Sequence, residues 1–323
     1  MRGMEANTFT AILTDPPYGI NFMSNGWDHG IPDASYWEEA LRVSKPGAHL
    51  LAFGGTRTFH RLTCAIEDGG WEIRDCLMWL YGSGFPKSHD ISKAIDRESG
   101  TERKVIGEPP KIASSAWRRR EGRADRWSPP PETAPTSPQA IEWEHYGTAT
   151  KPAWEPVILA RKGVEGTIAN NCKTHGTGGL NIKDCRIGDE VRFNPPTHKD
   201  KTVAMGSFRV NVNGNGNGNG TTCIGRFPAN LLLTDIPLEQ ARYFYCPKVS
   251  KAERGDNCHP TVKPLALMTW LATLLKQPTI NNILDPFAGS GSTLVACKQL
   301  GIDCVGIEKD PSYCEIIKNR LQI

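Results

Sequence analysis

The segment that most restricts what this chain can fold into is NNILDPFAGSGSTLVACKQLGIDCVGIEKD, near the carboxy terminus. It reads as an apolar strand, a glycine-rich turn, an amphipathic helix and a second strand that ends in an acid, which is half of a nucleotide-binding α/β fold. Gly289 and Gly291 let backbone come close to a ligand, and a helix opening near Ser292 and Thr293 would aim unpaired N–H groups at a carboxylate or phosphate. Glu308 lies 17 residues after Gly291, where a carboxylate can accept hydrogen bonds from both ribose hydroxyls of an adenosine. A dinucleotide dehydrogenase would place a third glycine at position 294; the residue is Leu294, which counts against NAD. Asp285 just before the turn suits a ligand with a positive end. The blander reading of the same residues is a packing turn.

Earlier in the chain the alternation continues. Residues 9–14, FTAILT, form a strand-like run that stops at Asp15-Pro16-Pro17, because proline has no ladder donor. Residues 34–43 have helical spacing and end before Lys45-Pro46-Gly47, after which HLLAFGG reads as a buried strand. Residues 58–68 look helical, and WEIRDCLMWLYG looks like another strand. Strand and helix in alternation predict an α/β sheet covered on both faces. Between about Thr101 and Ala149 this pattern breaks down into a basic tract and a proline-rich one with too little apolar content to fold alone. Order returns at KPAWEPVILARK, and VNVNGNGNGNGTT is a low-complexity loop. RFPANLLLTD resumes a strand.

Asp15-Pro16-Pro17-Tyr18 has a chemistry suited to an amino group on an aromatic ring. Asp15 can accept one hydrogen bond from the amine and the carbonyl before or at Pro16 the other, drawing the nitrogen lone pair out of conjugation. Tyr18 offers a face for an extruded base, where stacking is worth about 1–3 kcal/mol. The prolines hold the geometry, which matters when positioning supplies much of the rate. Taken alone the tetrapeptide is also compatible with an ordinary turn.

Together, DPPY and FAGSGST resemble the DNA amino-methyltransferases, which modify adenine at N6 or cytosine at N4. The order, catalytic motif first and cofactor motif last, is similar to the permuted beta group, in which a target-recognition region lies between the two. GGTRTFHRL, GTATKPAWEPVILARK, GRFPANLLL and HPTVKPLALMTWL also resemble segments of a phage and bacterial branch. The resemblance implies a Rossmann-like sheet binding S-adenosylmethionine, with residues 1–100 as a catalytic half, 101–230 as an inserted, irregular target-recognition region and 231–323 as a cofactor half. It implies catalytic roles for Asp15, Pro16, Pro17 and Tyr18. Asp285, Phe287, Gly289, Gly291, Thr293 and Glu308 fall at cofactor positions, as do His259, Thr261 and Lys263 of the HPTVKP segment. That segment also reads as a helix start with Thr261 as cap and Pro264 in the first turn. Relatives of this kind carry a further strand before the first one here, so an exposed sheet edge is expected.

Double-stranded DNA is the implied partner, and a cognate restriction endonuclease is compatible with it. Asp at position 15 favours adenine, because the cytosine-N4 enzymes of the family more often have Ser there. Cytosine-N4 methylation is the alternative, and a DNA-binding relic impaired by a short amino terminus is another. Methylation of RNA or of a protein glutamine is disfavoured, since Asn usually replaces the Asp in those enzymes. Arg118, Arg119, Arg120 and Arg123, with Arg126 nearby and Trp117 and Trp127 flanking, could neutralise phosphates, or could be a solvated linker.

The formal charge of +3, from 38 Lys and Arg against 35 Asp and Glu, is too balanced to identify a nucleic-acid binder. No apolar run approaches the roughly 18 residues that span a bilayer. Ten scattered cysteines and no secretory leader predict free thiols in a cytoplasm. Cys258-His259, with no second pair at finger spacing, does not make a zinc site, and no metal is expected.

Overall fold

The computed structural model of the chain describes residues 1–20, 28–81, 88–108, 131–194, 202–205, 208–211, 221–234 and 262–322. Two compact units are present, one of Met1–Gly82 with Trp154–Ile323 and one of Ser83–Ala153. From the amino terminus the first unit carries β1 (Phe9–Thr14), α1 (Ala34–Val43), β2 (Ser44–Phe53), α2 (Phe59–Asp68) and β3 (Glu72–Tyr81). The second unit follows with α3 (Ile91–Glu98), β4 (Lys104–Gly107), β5 (Glu132–Ala134) and α4 (Pro138–Glu142). The first unit then resumes with β6 (Trp154–Arg161), α5 (Ile168–His175), β7 (Ile187–Asn194), β8 (Thr202–Met205), β9 (Phe208–Asn211), β10 (Thr221–Arg226) and β11 (Leu231–Thr234). It closes with α6 (Leu265–Leu275), β12 (Asn282–Asp285), α7 (Ser292–Leu300), β13 (Asp303–Gly306) and α8 (Pro311–Leu321).

Seven of these strands form one sheet in the order β11-β3-β6-β2-β1-β12-β13. Six run the same way, and β6 runs opposite to both its neighbours. Side-chain alternation divides the core. Leu13, Leu51, Phe53, Val157, Leu159 and Ile283 face α6 and α7, while Ile12, Leu50, Ala52, Ile158, Ala160 and Leu284 face α1 and α2. A sheet covered on both faces needs strands apolar on both faces, which is why FTAILT is buried at every position. In α1 the Asp33 carboxylate caps the first turn by accepting from Ser35 N, and Trp37, Ala40 and Val43 recur every third residue on the inward side.

The crossover from β1 leads to β2 on one side, and that from β12 leads to β13 on the other. The sheet therefore reverses its winding between β1 and β12, and the carboxyl ends of two such strands bound a crevice. At the outer edge β13 pairs with β12 alone among the described strands.

Two segments differ from the sequence reading. Strand β2 begins at Ser44, so Lys45-Pro46-Gly47 lies within it. The register against β1 slips there, from Phe9↔Ser44 to Ala11↔His49, and Gly47 takes φ +77°, so proline and glycine occupy a bulge that needs no ladder donor. Residues 154–161, which the three-segment division assigns to the inserted region, form a strand inside the main sheet, paired with both β2 and β3.

In the second unit, β4 and β5 pair antiparallel within the stretch where the alternation was expected to fail. A polar node replaces the missing apolar content. Asp96 is fully buried and accepts from Ser137 Oγ at 2.6 Å, Ser137 N at 3.1 Å, Thr136 N at 3.2 Å and Arg103 at 2.8 Å. These bonds hold its carboxyl below the usual range, the Ser137 hydroxyl contributing most.

Candidate active site

The loops after β1 and β12 emerge from neighbouring strands, paired Ala11↔Ile283 and Ile12↔Leu284. Their joint is made by side chains: Thr14 Oγ1 donates to Asp285 Oδ1 at 2.7 Å, and Thr293 Oγ1, at the start of α7, reaches the Leu13 carbonyl at 3.4 Å. DPPY and the glycine turn, some 270 positions apart in the chain, therefore border one crevice.

The DPPY loop is pinned from three directions. Asp28, almost fully buried, accepts from Tyr18 N and Gly19 N, both at 2.8 Å. Thr58 Oγ1, beside the loop after β2, donates to the Tyr18 carbonyl at 2.6 Å. Gly55 packs against the Tyr18 ring so closely that a Cβ there would stand 3.1 Å from Cδ2. Pro16 is buried and Pro17 half-buried.

Around the carboxylate of Asp15 four other polar side chains gather. Lys263 Nζ lies 2.7 Å from Asp15 Oδ2, 3.1 Å from the Tyr18 hydroxyl and 3.4 Å from Glu155 Oε2. The Tyr18 hydroxyl lies 2.9 Å from Asp15 Oδ1 and 3.0 Å from Glu155 Oε2. Tyr81 completes the group through a hydrogen bond to Glu155, and burial followed by the Glu155 charge pushes its phenol up. Burial, then the charges of Asp15 and Glu155, push Tyr18 well above its ordinary value. Burial pulls Lys263 down, but the same two carboxylates outweigh it, so the amine is held above its usual value as a fixed ammonium. Its Nζ sits 4.8 Å from the Phe53 ring centre and 5.4 Å from that of Tyr18.

On the other side of the crevice, Gly289 and Gly291 take φ +52° and +79°, and a Cβ on Gly291 would stand 2.9 Å from Ile317. Glu308 braces this turn, accepting from Gly289 N and Asp310 N at 2.8 Å each. Phe287 lodges its ring beside Tyr36 and Trp37, with centroids at 5.9 and 6.4 Å, and its amide donates to Asp285 at 3.1 Å. Burial pushes the Asp285 carboxyl up to about 6, although Thr293, Thr14 and the Phe287 amide donate to it. Its hydrogen-bond partners are all neutral.

Of the residues singled out in the sequence, Asp15, Tyr18 and Lys263 come into direct contact, and Asp285, Phe287, Gly289, Gly291, Thr293 and Glu308 frame the adjoining turn. Lys263 contacts the DPPY side chains. Pro264 stands as the residue before α6. His259, Thr261, Cys258 and the arginines at 118, 119, 120 and 123 lie outside the described residues. Glu155, Asp28, Thr14, Thr58 and Tyr81 were not singled out. A glutamate at the start of a strand belongs to no local motif, though WEPVILAR does mark where a strand enters. Each described cysteine is a free thiol. Among the described residues no group of three His, Cys, Asp or Glu could hold a metal ion, and no helix is long and apolar enough to cross a membrane.

The sequence profile of the family described as N6_N4_Mtase, DNA methylase, matches residues 9–319. The type II methyltransferase M.HindIII of Haemophilus influenzae is 23% identical, over all of this chain and 92% of its own length. The crystal structure of M1.HpyAVI is similar over 98% of this chain and 89% of that one, with TM-score 0.46 and 17% identity. The cytosine-N4-specific PvuII DNA methyltransferase is similar over 99% and 81%, with TM-score 0.46 and 12% identity.

Proposed function

The chain belongs to the N6_N4_Mtase family of DNA methylases, and from that premise we propose that it methylates the exocyclic N6 amino group of adenine in double-stranded DNA, by base flipping and direct transfer. S-adenosylmethionine is the methyl donor, supplying an electrophilic methyl group on a sulfonium. The sheet with its two helical layers is the α/β methyltransferase fold. The carrying observation is the Thr14–Asp285 hydrogen bond of 2.7 Å, which ties the amine-binding loop to the cofactor turn.

The residues of the turn fit this donor. Asp285 is a buried carboxylate with neutral partners and a raised pKa, a place where the positive methionine end of the donor relieves an electrostatic cost. The α7 amino terminus, with Gly291 in a left-handed conformation, presents backbone N–H groups to the donor's carboxylate, and Glu308 offers acceptors for its ribose.

On the substrate side Asp15 accepts a hydrogen from the target amine, and the carbonyl before or at Pro16 accepts the other, which keeps the nitrogen lone pair available to the methyl group. Tyr18 provides the stacking face, and Asp28, Thr58 and Gly55 fix it so that little ordering remains to be done when the base arrives. After transfer the surplus proton of the alkylated amine leaves by way of Asp15 or solvent. Reading of the DNA sequence falls, in this proposal, to the inserted stretch 101–230, excluding its strand 154–161, with the arginines at 118, 119, 120 and 123 on phosphates. The enzyme works in a bacterial or phage-infected cytoplasm, where a cognate restriction endonuclease is a compatible partner.

Incubation with labelled S-adenosylmethionine and unmethylated DNA, followed by digestion to nucleosides, tests this. Label in N6-methyldeoxyadenosine is expected. Label in N4-methyldeoxycytidine alone would replace adenine by cytosine as the target, and DNA retardation without cofactor binding would reduce the chain to a DNA-binding relic.

A further inference from the structure

Resting on the reading of this crevice as a site for a base amine, a second carboxylate stands where a single one would suffice to hold that amine. Each oxygen of Asp15 already accepts one hydrogen bond, Oδ1 from the Tyr18 hydroxyl and Oδ2 from Lys263. An incoming amine bonds most strongly to an oxygen that it does not share with a competing donor. The Tyr18 hydroxyl has one hydrogen and stands almost equally far from two carboxylates, 2.9 Å from Asp15 Oδ1 and 3.0 Å from Glu155 Oε2. Rotation about the phenol C–O bond therefore moves that hydrogen from one carboxylate to the other with no displacement of heavy atoms.

We propose that Glu155 is a positioning residue for the transfer: it serves as the alternative acceptor for the Tyr18 hydroxyl, so that Asp15 Oδ1 is left to the target amine without a competing donor while Lys263 stays on Oδ2. No covalent bond is made or broken in this exchange.

Several features of the surroundings suit the role. β6 runs against its neighbours, so its first residues lie at the carboxyl edge of the parallel strands; Glu155 faces Trp79 near the end of β3. The Tyr81 hydroxyl bonds to Glu155, and Lys263, buried and seated over two aromatic rings, supplies a positive charge that both carboxylates share. A single acid beside Tyr18 and Lys263 would be held by both donors at once. With Glu155 present, the ring can keep its hydroxyl bonded in either state, and an unsatisfied buried hydroxyl is avoided.

A double-mutant cycle between Tyr18→Phe and Glu155→Gln decides it. The amide is a weaker acceptor than the carboxylate, so E155Q leaves the hydroxyl on Asp15. Single-turnover methyl transfer to DNA should fall by about 10²-fold, the scale of a misplaced reacting group, while KM for DNA and the affinity for S-adenosylmethionine change less than about twofold. Tyr18→Phe retains the stacking ring and removes the competing hydrogen. The double variant should therefore be faster than E155Q alone, and E155Q should have little effect when introduced into the Tyr18→Phe variant. Losses that multiply, or a fall in cofactor affinity and melting temperature matching the fall in rate, would overturn the proposal.

The cycle is read on whichever base takes the label, so a change of target from adenine to cytosine leaves it intact. Should the wild-type protein methylate no DNA, the function proposed above fails, and NMR of Cζ-labelled tyrosine decides the positioning role separately. The Tyr18 resonance, assigned by Tyr18→Phe, should move in E155Q; an unmoved resonance would overturn it.

Discussion

Two buried carboxylates, one in each compact unit, are treated in opposite ways. Asp96 in the Ser83–Ala153 unit is surrounded by the hydroxyl and amide donors of Ser137, the Thr136 amide and the Arg103 guanidinium, and its pKa is lowered. Asp285 in the sheet unit has two hydroxyls and an amide but neutral partners throughout, and burial pushes it up to about 6. The first charge is complete without help and holds β4, β5, α3 and α4 together. The second, buried below the loops that border the crevice, carries an unmet electrostatic demand, the condition expected of a group that meets a ligand. In the function proposed, the first is a folding charge and the second a binding charge, distinguished by whether their partners already balance them.

This contrast is broken or sharpened by four measurements. The largest effect belongs to Asp15→Ala, which should lower single-turnover methyl transfer by about 10³-fold, on the scale of losing a key polar contact in a transition state. Calorimetry should show its cofactor affinity nearly unchanged, and equal loss of both would merge two roles that the proposed function keeps apart. Next, Asp285→Asn should weaken S-adenosylmethionine binding by about 10–100-fold, the range for a hydrogen bond to a charged group. The same change should raise the melting temperature of the ligand-free protein at neutral pH, because it removes a buried charge; a lower one would make Asp285 a structural residue like Asp96.

The third is a pH effect. An acid whose folded pKa lies above its ordinary value of about 3.9 costs the ligand-free fold nothing below that value and its full amount above about 6. A positive ligand favours the ionised form, so cofactor affinity should drop up to about tenfold per unit as pH falls below about 6. Calorimetry in two buffers of different ionisation heat should detect proton release on binding near pH 6, and absence of release would separate Asp285 from the ligand. The smallest effect on chemistry is that of Asp96→Ala. Limited proteolysis should open the second unit while hydrogen exchange in the main sheet stays as it was. For Asp96 itself the sign is reversed: the stability it gives is complete above the ordinary carboxylate range and is lost as pH falls through its lowered value.

The strands and the two loops that carry the proposed chemistry were legible because their signals are local. FTAILT gives β1 residue for residue, ASYWEEALRV gives α1, and a strand, glycines and a helix in succession mark the turn proposed to hold the cofactor. The remaining structure depends on contacts between distant positions. Asp96 sits in ISKAIDRE as an unremarkable helix acid, and its meaning comes from Ser137, 41 positions later. Glu155 meets Tyr18 across 137 positions, and its place at the site follows from the reversal of β6, which hydrophobic periodicity does not reveal. The bulge at Pro46-Gly47 was hidden for a related reason: the two residues that usually interrupt a strand here lie where its register slips.

The ladder between β3 and β6 is closed at its end by Leu80 against Trp154, and Tyr81, paired with Thr234 of β11, is the last residue of β3. To the sheet, everything between Tyr81 and Trp154 is one loop, and the cost of lengthening a loop rises only logarithmically. A different insert spliced at this stem would meet the same pairs, Leu80 with Trp154 and Tyr81 with Thr234. The register of the sheet is therefore indifferent to the length of what is inserted there, over evolutionary time or at an engineer's bench.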